Sequence, residues 1–378
     1  LLSDDLKNKL YYDCFQKMLY RYSHQRKAPS LGLELFLWFC GEEDLNRAAH
    51  RKNPTYLFTN TTGEGSSLVQ VDLITGFLGS GKTTFLRHWV QYLTAQGHNV
   101  CILENDFGAV NVDVLLLQDV LGSRCNIESI SGGCDCDTHQ RRMRTKLISL
   151  AMQGYDRVVV EPSGIFDVDE FFDILRDDPL DRWYTLGNVF AVVDAALPPQ
   201  LSPEEEYLLA SEAAKSGCLL ASRVQLPGAL GRDALLARLN TALANCRCAR
   251  RFAAKDILYK DWNALTDADF AALDRCGWRQ ADYVKLPFDE HNAFTSLYFL
   301  ELPLTESALR AAVPTLFADP ACGHILRLKG FVPSADGWLE INATPAGMTA
   351  QRVPQGQQVL IVIGQGLDKA KIKAHLAQ

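Results

Sequence analysis

One short segment constrains this chain more than any other: Gly76-Phe77-Leu78-Gly79-Ser80-Gly81-Lys82-Thr83 matches GxxxxGK[ST]. It follows an apolar run, Val71 to Thr75, and opens a helical pattern from Thr83 to Gln96 that Gly97 ends. A buried strand, a glycine-rich turn and a helix start in that order make a phosphate-binding loop. The glycines let successive N–H groups converge on phosphate oxygens, and the helix dipole favours the negative charge. The spacing assigns Gly76, Gly79, Ser80, Gly81, Lys82, Thr83 and Thr84 to a nucleoside triphosphate. Lys82 reaches the β and γ phosphates, and the Thr83 hydroxyl binds Mg²⁺.

Mg²⁺ prefers oxygen ligands, so such a loop needs a carboxylate at the end of a neighbouring strand. Arg157-Val158-Val159-Val160-Glu161 ends in one, and Pro162-Ser163-Gly164 then forms a turn whose glycine suits a close approach to the γ phosphate. Asp106, after the run Val100 to Leu103, is a second carboxylate for the Mg²⁺ shell or for the attacking water, or else a turn former. Lys82, Asp106 and Glu161 are therefore the catalytic set. Thr83, Asp106 and Glu161 are the magnesium set.

Around this loop, short β-rich runs alternate with helical patterns (Val71, Val100, Arg157, Val189 and Cys218 start the runs), which predicts an α/β domain with a mostly parallel sheet flanked by helices. Beyond Asp282 the pattern changes to the strands Phe294 to Leu302, Ile325 to Val332 and Val359 to Gly364, with a helix at Glu306 to Phe317 and another from Leu367: a smaller α+β domain. Helical spacing of Leu6, Leu10, Phe15, Met18, Leu19 and Tyr22 predicts a helical N-terminal extension. The expected organisation is residues 1–60 extension, 61–67 linker, 68–280 nucleotide domain and 281–378 C-terminal domain.

A net charge of −7 gives no footprint for nucleic acid, and the longest apolar run, Leu31 to Cys40, is too short for a bilayer. The Leu-Leu-Ser-Asp-Asp start lacks a secretory pattern, and a start without Met leaves room for residues upstream. Eleven cysteines, an odd number without framework spacing, point to reduced thiols and the cytoplasm.

Gly132-Gly133-Cys134-Asp135-Cys136-Asp137-Thr138-His139 gathers thiols, carboxylates and an imidazole in one loop. Thiolates with oxygen or nitrogen donors suit Zn²⁺ or a similar divalent ion; the other reading is buried thiols on a turn with Asp137 capping a helix. Cys246-Arg247-Cys248 lies in a basic stretch and reads as packing.

With these motifs in this order, the chain resembles the CobW-type family of metallochaperone GTPases, P-loop proteins of the SIMIBI class related to the urease and hydrogenase nickel-insertion GTPases. The matching segments are Ile74 to Thr84, Glu104 to Asp113, the GGCDCD loop against the family's GCxCC, and Glu161 to Gly164 against E-x-[ST]-G. The tail from Val359 also resembles the end of the family's C-terminal domain. The resemblance implies that Asn105, Asp106 and Asp113 lie in a γ-phosphate-sensing switch, that GTP binding positions the cysteines for a metal, and that hydrolysis releases it to a client metalloprotein. No residue stands out as a cis arginine finger, so turnover is expected to be slow until a partner or a homodimer completes the site.

Two departures matter. Asp137 replaces the family's third cysteine, so the resemblance implies a metal site of Cys134 and Cys136 completed by Asp137 or by His139. Ser222-Arg223-Val224-Gln225 replaces the guanine-reading NKxD, leaving Ser222 and Arg223 at the nucleotide, Arg223 able to stack on a base, and GTP or ATP both open. The competing readings are a nucleotide sensor that hydrolyses little, and a small-molecule kinase with Arg141-Arg142-Met143-Arg144 as its lid. His291 and His324 read as ordinary surface or turn residues.

Overall fold

The computed structural model describes residues 68–106, 117–131, 136–164, 166, 168–285, 294–302, 304–334, 337–345 and 347–377. The expected N-terminal extension, the 61–67 linker, Asp113, Cys134, Asp135 and His291 lie outside them, as do the side chains of Asn105, Asp106, Cys136, Asp137 and His139.

Seven strands form the first sheet: β1 (Val69–Thr75), β2 (Val100–Asp106), β3 (Cys125–Ser131), β4 (Arg157–Pro162), β5 (Tyr184–Asp194), β6 (Cys218–Ser222) and β7 (Ile257–Tyr259). Their order is β3-β2-β4-β1-β5-β6-β7, and every pairing is parallel. A parallel sheet is covered on both faces, so its central strands are apolar almost throughout. β4 is buried at every position, and β1 at all but one.

The covering helices are α1 (Lys82–Ala95), α2 (Cys136–Ala151), α3 (Val168–Arg176), α4 (Pro203–Ala214), α5 (Arg232–Asn245) and α6 (Asp267–Leu273). In α1 the buried side chains Phe85, Leu86, Trp89, Val90 and Leu93 recur at helical spacing and meet Ile102, Val159 and Phe190 of the sheet. On the opposite face, Met143, Leu147 and Leu150 of α2 and Phe171 and Phe172 of α3 pack on Val71, Val158 and Val160.

A carboxylate lies deep inside this core. Asp72 on β1 is fully buried and is held by Arg157 Nη1 at 2.8 Å, the Asn188 amide at 2.8 Å and Trp89 Nε1 at 3.1 Å. A buried carboxylate is tolerated only with such partners. Arg157 reaches on to Asp274 Oδ1 at 2.6 Å, joining the end of α6 to the sheet.

The second sheet is antiparallel, in the order β11-β10-β9-β12-β8. Its strands are β8 (Thr295–Leu300), β9 (His324–Ser334), β10 (Gly337–Thr344), β11 (Gly347–Val353) and β12 (Val359–Gln365), with the helices α7 (Glu306–Ala318) and α8 (Lys369–Leu376). Leu309, Val313 and Leu316 of α7 and Ile372 and Leu376 of α8 pack on Leu328, Ile341 and Val362 of one face. The other face carries Phe331, Val359, Ile361 and Ile363, and Leu78 of the glycine-rich turn packs against them.

The expected α/β fold with a smaller α+β layer is what forms. The β10–β11 hairpin and the edge strand β3 were not anticipated. Among the described residues, no helix is long and apolar enough to cross a membrane.

Candidate nucleotide and metal site

Sheet topology sets the site. In a doubly wound sheet, ligands bind beyond the carboxyl ends of the strands where the chain changes direction. Here β1 lies between β4 and β5, and the register pairs Leu73 with Val160 and Ile74 with Phe190. The turn after β1 and the turn after β4 therefore leave the sheet side by side.

Two close approaches explain the glycines. Gly76 has φ 142°, and a Cβ there would lie 2.4 Å from the Val192 carbonyl oxygen. Only glycine fits both conditions. A Cβ on Gly164 would lie 2.5 Å from the Leu78 amide nitrogen and 2.9 Å from Lys82 Nζ, so the turn after β4 rests directly on the glycine-rich loop.

The side chains converge at that contact. Lys82 is buried and donates from Nζ to the Gly76 carbonyl at 2.7 Å. Thr83 Oγ1 donates to Glu161 Oε1 at 2.8 Å. A hydroxyl and a carboxylate at hydrogen-bond distance are hard oxygen donors of the kind Mg²⁺ takes, so these residues fit the ion. The N-terminus of α1 has no side-chain cap and no acidic residue in its first turn, which leaves its N–H groups to an anion. Thr84, also in that turn, is exposed.

Ser80 Oγ and Ser222 Oγ are buried without a hydrogen-bond partner among the described residues, and both border the loop. Ser80 Oγ is 2.9 Å from the Cβ position of Gly76, and Ser222 Cβ is 3.6 Å from that of Gly81. Unpaired buried hydroxyls cost stability, and a polar ligand in the cradle would supply partners. The residues present therefore fit a nucleoside phosphate.

Arg223 departs from the stacking role expected of it. Its backbone is left-handed at φ 55°, its Nη1 pairs with Asp194 Oδ2 at the end of β5, and its Nη2 donates to the Gly79 carbonyl at 2.7 Å. The guanidinium thus ties β5 to the glycine-rich loop. Gln225 is exposed.

Other residues at the site were invisible to sequence reasoning. Trp262 lays its ring on the Gly81 turn, 3.3 Å from that Cβ position, and packs edge-on to Phe85. From the second sheet, Arg327 Cδ and Thr344 Cγ2 come within 3.3 and 3.7 Å of the Cβ position of Gly79, and Phe294 meets Phe77 edge-on. No cis arginine was expected here, yet Arg327 lies against the loop, its Nε donating to Asn342 Oδ1 at 3.2 Å. A glycine within a glycine-rich motif gives no signal of what presses on it from 248 positions downstream.

The other predicted residues are placed by backbone alone. Asp106 ends β2, whose register pairs Glu104 with Glu161 and Asp106 with Ser131. The cysteine loop joins β3 to α2, with Cys136 the first helical residue. The end of β3 is three strands from that of β1, roughly 14 Å at ordinary strand spacing.

Outside the site, Cys246 and Cys248 are buried at the end of α5, as the packing reading requires. Arg141 and Arg142 are exposed on α2, while Arg144 donates to the Asp178 carbonyl. This arrangement gives no support to a phosphate-closing lid. His324 is exposed, with Nε2 3.6 Å from Glu205 Oε1.

Comparison with known proteins agrees with this architecture. Residues 70–252 match the family described as CobW/HypB/UreG, nucleotide-binding domain, and residues 297–378 match the Cobalamin synthesis protein cobW C-terminal domain. The zinc chaperone YeiR of Escherichia coli (strain K12) is 34% identical over 131 residues, 34% of this chain and 39% of that protein. The zinc chaperone YjiA of the same organism is 34% identical over 137 residues, 34% of this chain and 41% of that protein. Zinc-regulated GTPase metalloprotein activator 1 of Schizosaccharomyces pombe (strain 972 / ATCC 24843) is 27% identical over 164 residues, 42% of this chain and 39% of that protein. The matched stretches thus span about two fifths of the length of these curated relatives. With both of its domain types matched in order, the chain belongs to the CobW family.

Proposed function

We propose that this chain binds Mg²⁺–GTP, hydrolyses it slowly, and uses the cycle to hold a divalent metal such as zinc and release it to a client metalloprotein. The observation that carries this reading is the shared edge. The glycine-rich loop, Glu161 and Gly164, the end of β2 at Asp106 and the start of the cysteine loop all leave the carboxyl edge of four neighbouring strands, β1, β4, β2 and β3.

Lys82 and the α1 N-terminus neutralise the β and γ phosphates, and Thr83 with Glu161 holds Mg²⁺. When bound, Mg²⁺ screens the charge that builds on the phosphates. Glu161 also orients the Thr83 hydroxyl, and Gly164 keeps the turn after β4 against the loop. A triphosphate drawing Asp106 and the segment after it towards the loop moves the connection that leads into β3 and the cysteines. Cys134, Cys136 and Asp137, with His139 as the alternative third donor, are the proposed zinc ligands. The relatives named zinc chaperones and a zinc-regulated GTPase activator support the cargo and the nucleotide. For GTP over ATP, Gln225 is the exposed residue of the altered NKxD segment left to meet a base through its amide, since Arg223 is engaged elsewhere and Ser222 is buried beside the glycine-rich loop.

The test is a Zn²⁺ titration of the reduced, metal-free chain with Mg²⁺ and GTP, a non-hydrolysable GTP analogue, GDP or the ATP equivalents. A tenfold or larger change in zinc affinity with triphosphate, about 1.4 kcal/mol of coupling, is the expected result. Zinc affinity indifferent to every nucleotide would sink the switch and leave a nucleotide-sensing protein.

A further inference from the structure

The second sheet carries a cluster that sequence spacing conceals. Asp319 follows α7, Cys322 ends the single 3₁₀ turn after it (Pro320–Cys322), and His375 lies in the last turn of α8. One ligand atom from each, a carboxylate oxygen, a thiol sulfur and an imidazole nitrogen, lies within 4.8 Å of the other two.

We propose that Asp319, Cys322 and His375 form a metal site, separate from the cysteine loop, that takes a zinc-like divalent ion and leaves its fourth position open. The donor set is the first reason. A thiolate, an imidazole and a carboxylate select a borderline ion such as Zn²⁺ over Mg²⁺ or Ca²⁺.

Geometry is the second reason. His375 Nε2 is 2.8 Å from Asp319 Oδ2, and Cys322 Sγ is 3.8 Å from the same oxygen. Around tetrahedral zinc, with bonds of about 2.0 Å to O and N and 2.3 Å to S, those separations become about 3.3 and 3.5 Å, and the imidazole–thiol pair, within 4.8 Å here, becomes about 3.5 Å. Side-chain shifts on the order of an ångström convert the hydrogen-bonded triad into a coordination sphere.

Preorganisation is the third. Asp319 Oδ1 accepts from the Ala321 amide at 2.9 Å, which fixes the carboxylate while Oδ2 faces His375 and Cys322. The Asp368 amide donates to the Cys322 carbonyl at 3.2 Å, so the turn bearing the thiol is tied to the start of the helix bearing the imidazole. Such supporting bonds orient metal ligands. Cys322, Ile372 and Leu376 share one apolar cluster, which holds both elements in place.

Binding replaces the Asp319–His375 hydrogen bond and the Cys322 S–H bond with three bonds to the ion; the thiol proton passes to solvent, and so does the proton on His375 Nε2, the neutral ring keeping its remaining proton on Nδ1. The described residues supply three ligands, and three protein ligands with an open fourth position is the arrangement of sites that exchange a ligand; closed structural sites carry four. A ligand from a protein that accepts or supplies the ion would occupy the open place.

The test uses the full-length reduced, metal-free chain carrying Cys134→Ser and Cys136→Ser, which removes the loop thiols, and Co²⁺ as the probe. The expected result is one Co²⁺ per chain with a thiolate-to-metal absorption band, displaced by one equivalent of Zn²⁺. Adding Cys322→Ser abolishes the band, and Asp319→Asn or His375→Gln weakens binding at least tenfold. Mg²⁺–nucleotide binding, which uses the other sheet, reports that each variant is folded. Absence of the thiolate band in the Cys134→Ser/Cys136→Ser chain overturns the proposal, as does its persistence after Cys322→Ser. If Asp319→Asn and His375→Gln lower the melting temperature and leave Co²⁺ affinity unchanged, the triad is only a clip for α8 and the proposal falls. Because the loop thiols are absent throughout, failure here leaves the cysteine-loop reading standing, and the converse also holds.

Discussion

Gly164→Ala is the sharpest probe of the nucleotide site, because the added methyl has one place to go. Its Cβ would lie 2.5 Å from the Leu78 nitrogen and 2.8 Å from the Leu78 Cα, both backbone atoms of the glycine-rich loop. Ordinary contact needs about 3.4 Å or more, so either the turn after β4 or the loop retreats by close to an ångström. Retreat lengthens the 2.8 Å bond from Thr83 to Glu161, whose strand ends two residues before Gly164. Overpacking of this kind costs about 1–3 kcal/mol, and the cost falls on the conformation that holds Mg²⁺ and the phosphates. At 1.4 kcal/mol per decade, Mg²⁺–nucleotide binding weakens about 5- to 150-fold. Displacement of a fluorescent nucleotide, repeated over a Mg²⁺ series, measures it. Gly122→Ala is the control: nothing lies within 4 Å of its Cβ position, and no change is expected. Gly164→Ala binding within twofold of the parent, with the same Mg²⁺ dependence, would refute the close approach and with it the assignment of Glu161 to the ion.

Three further outcomes follow from the same geometry. Arg223→Met removes the bridge from Asp194 to the Gly79 carbonyl, so GTP and ATP both weaken, about tenfold, while their ratio stays within twofold; a selective loss of GTP would show that Arg223 reads the base after all. The Lys260 ammonium and the Thr266 hydroxyl hold the Asp269 carboxyl down at about 2 from its ordinary 3.8. A depressed acid stabilises the fold above its unfolded pKa and loses that contribution as pH falls through the folded one. Asp269→Asn should therefore cost about 1 kcal/mol at pH 6, after allowance for solvent screening, and progressively less between about pH 4 and pH 2; thermal melts showing a constant difference would contradict this. Burial pushes the Cys101 thiol up to about 12 and the Cys125 and Cys218 thiols to about 11. All three should resist iodoacetamide at pH 8 in the native chain and react in urea, by mass spectrometry; native labelling at the rate of a free thiol would contradict the burial.

The nucleotide loop was legible because its chemistry is local. Eight consecutive residues carry the glycines, the lysine and the threonine, and the flanking apolar runs supply the strand and the helix. Glu161 was legible for the same reason, at the end of a strand that is buried throughout. Three of the four edge strands were not, although the fourth, β8, was. Among the described residues β3, with the sequence CNIESIS, and β11, with GMTAQRV, lie at sheet edges and carry polar residues that blur the strand pattern, and β7 is only three residues long. β10 alternates between buried and half-buried positions, but its apolar residues are too few to stand out from a loop. Contacts made only by the folded chain left no trace in spacing. Arg327 against Gly79, Trp262 against Gly81, and His375 beside Asp319 are each brought together by topology. The Arg223 guanidinium holds Asp194 and the Gly79 carbonyl, partners to which nothing in its sequence neighbourhood points.

These long-range contacts change what the glycine-rich loop can transmit. In GxxxxGK[ST] the side chains of the first two variable positions are not called on by phosphate chemistry, and here both are large and apolar: Phe77 meets Phe294, and Leu78 packs on the face formed by Phe331, Val359, Ile361 and Ile363. Gly79, the third, is touched by Arg327 and Thr344. The loop that cradles phosphate on one side is therefore in apolar contact with the antiparallel sheet on the other. Gly164 presses on the same Leu78 from the side of β4. A closely packed interior moves by discrete repacking and resists continuous deformation, so any shift of the turn after β4 that accompanies γ-phosphate loss must displace Leu78 or be absorbed by it. Leu78 thus borders both the turn that ends in Gly164 and the sheet whose far face carries the Asp319, Cys322 and His375 cluster.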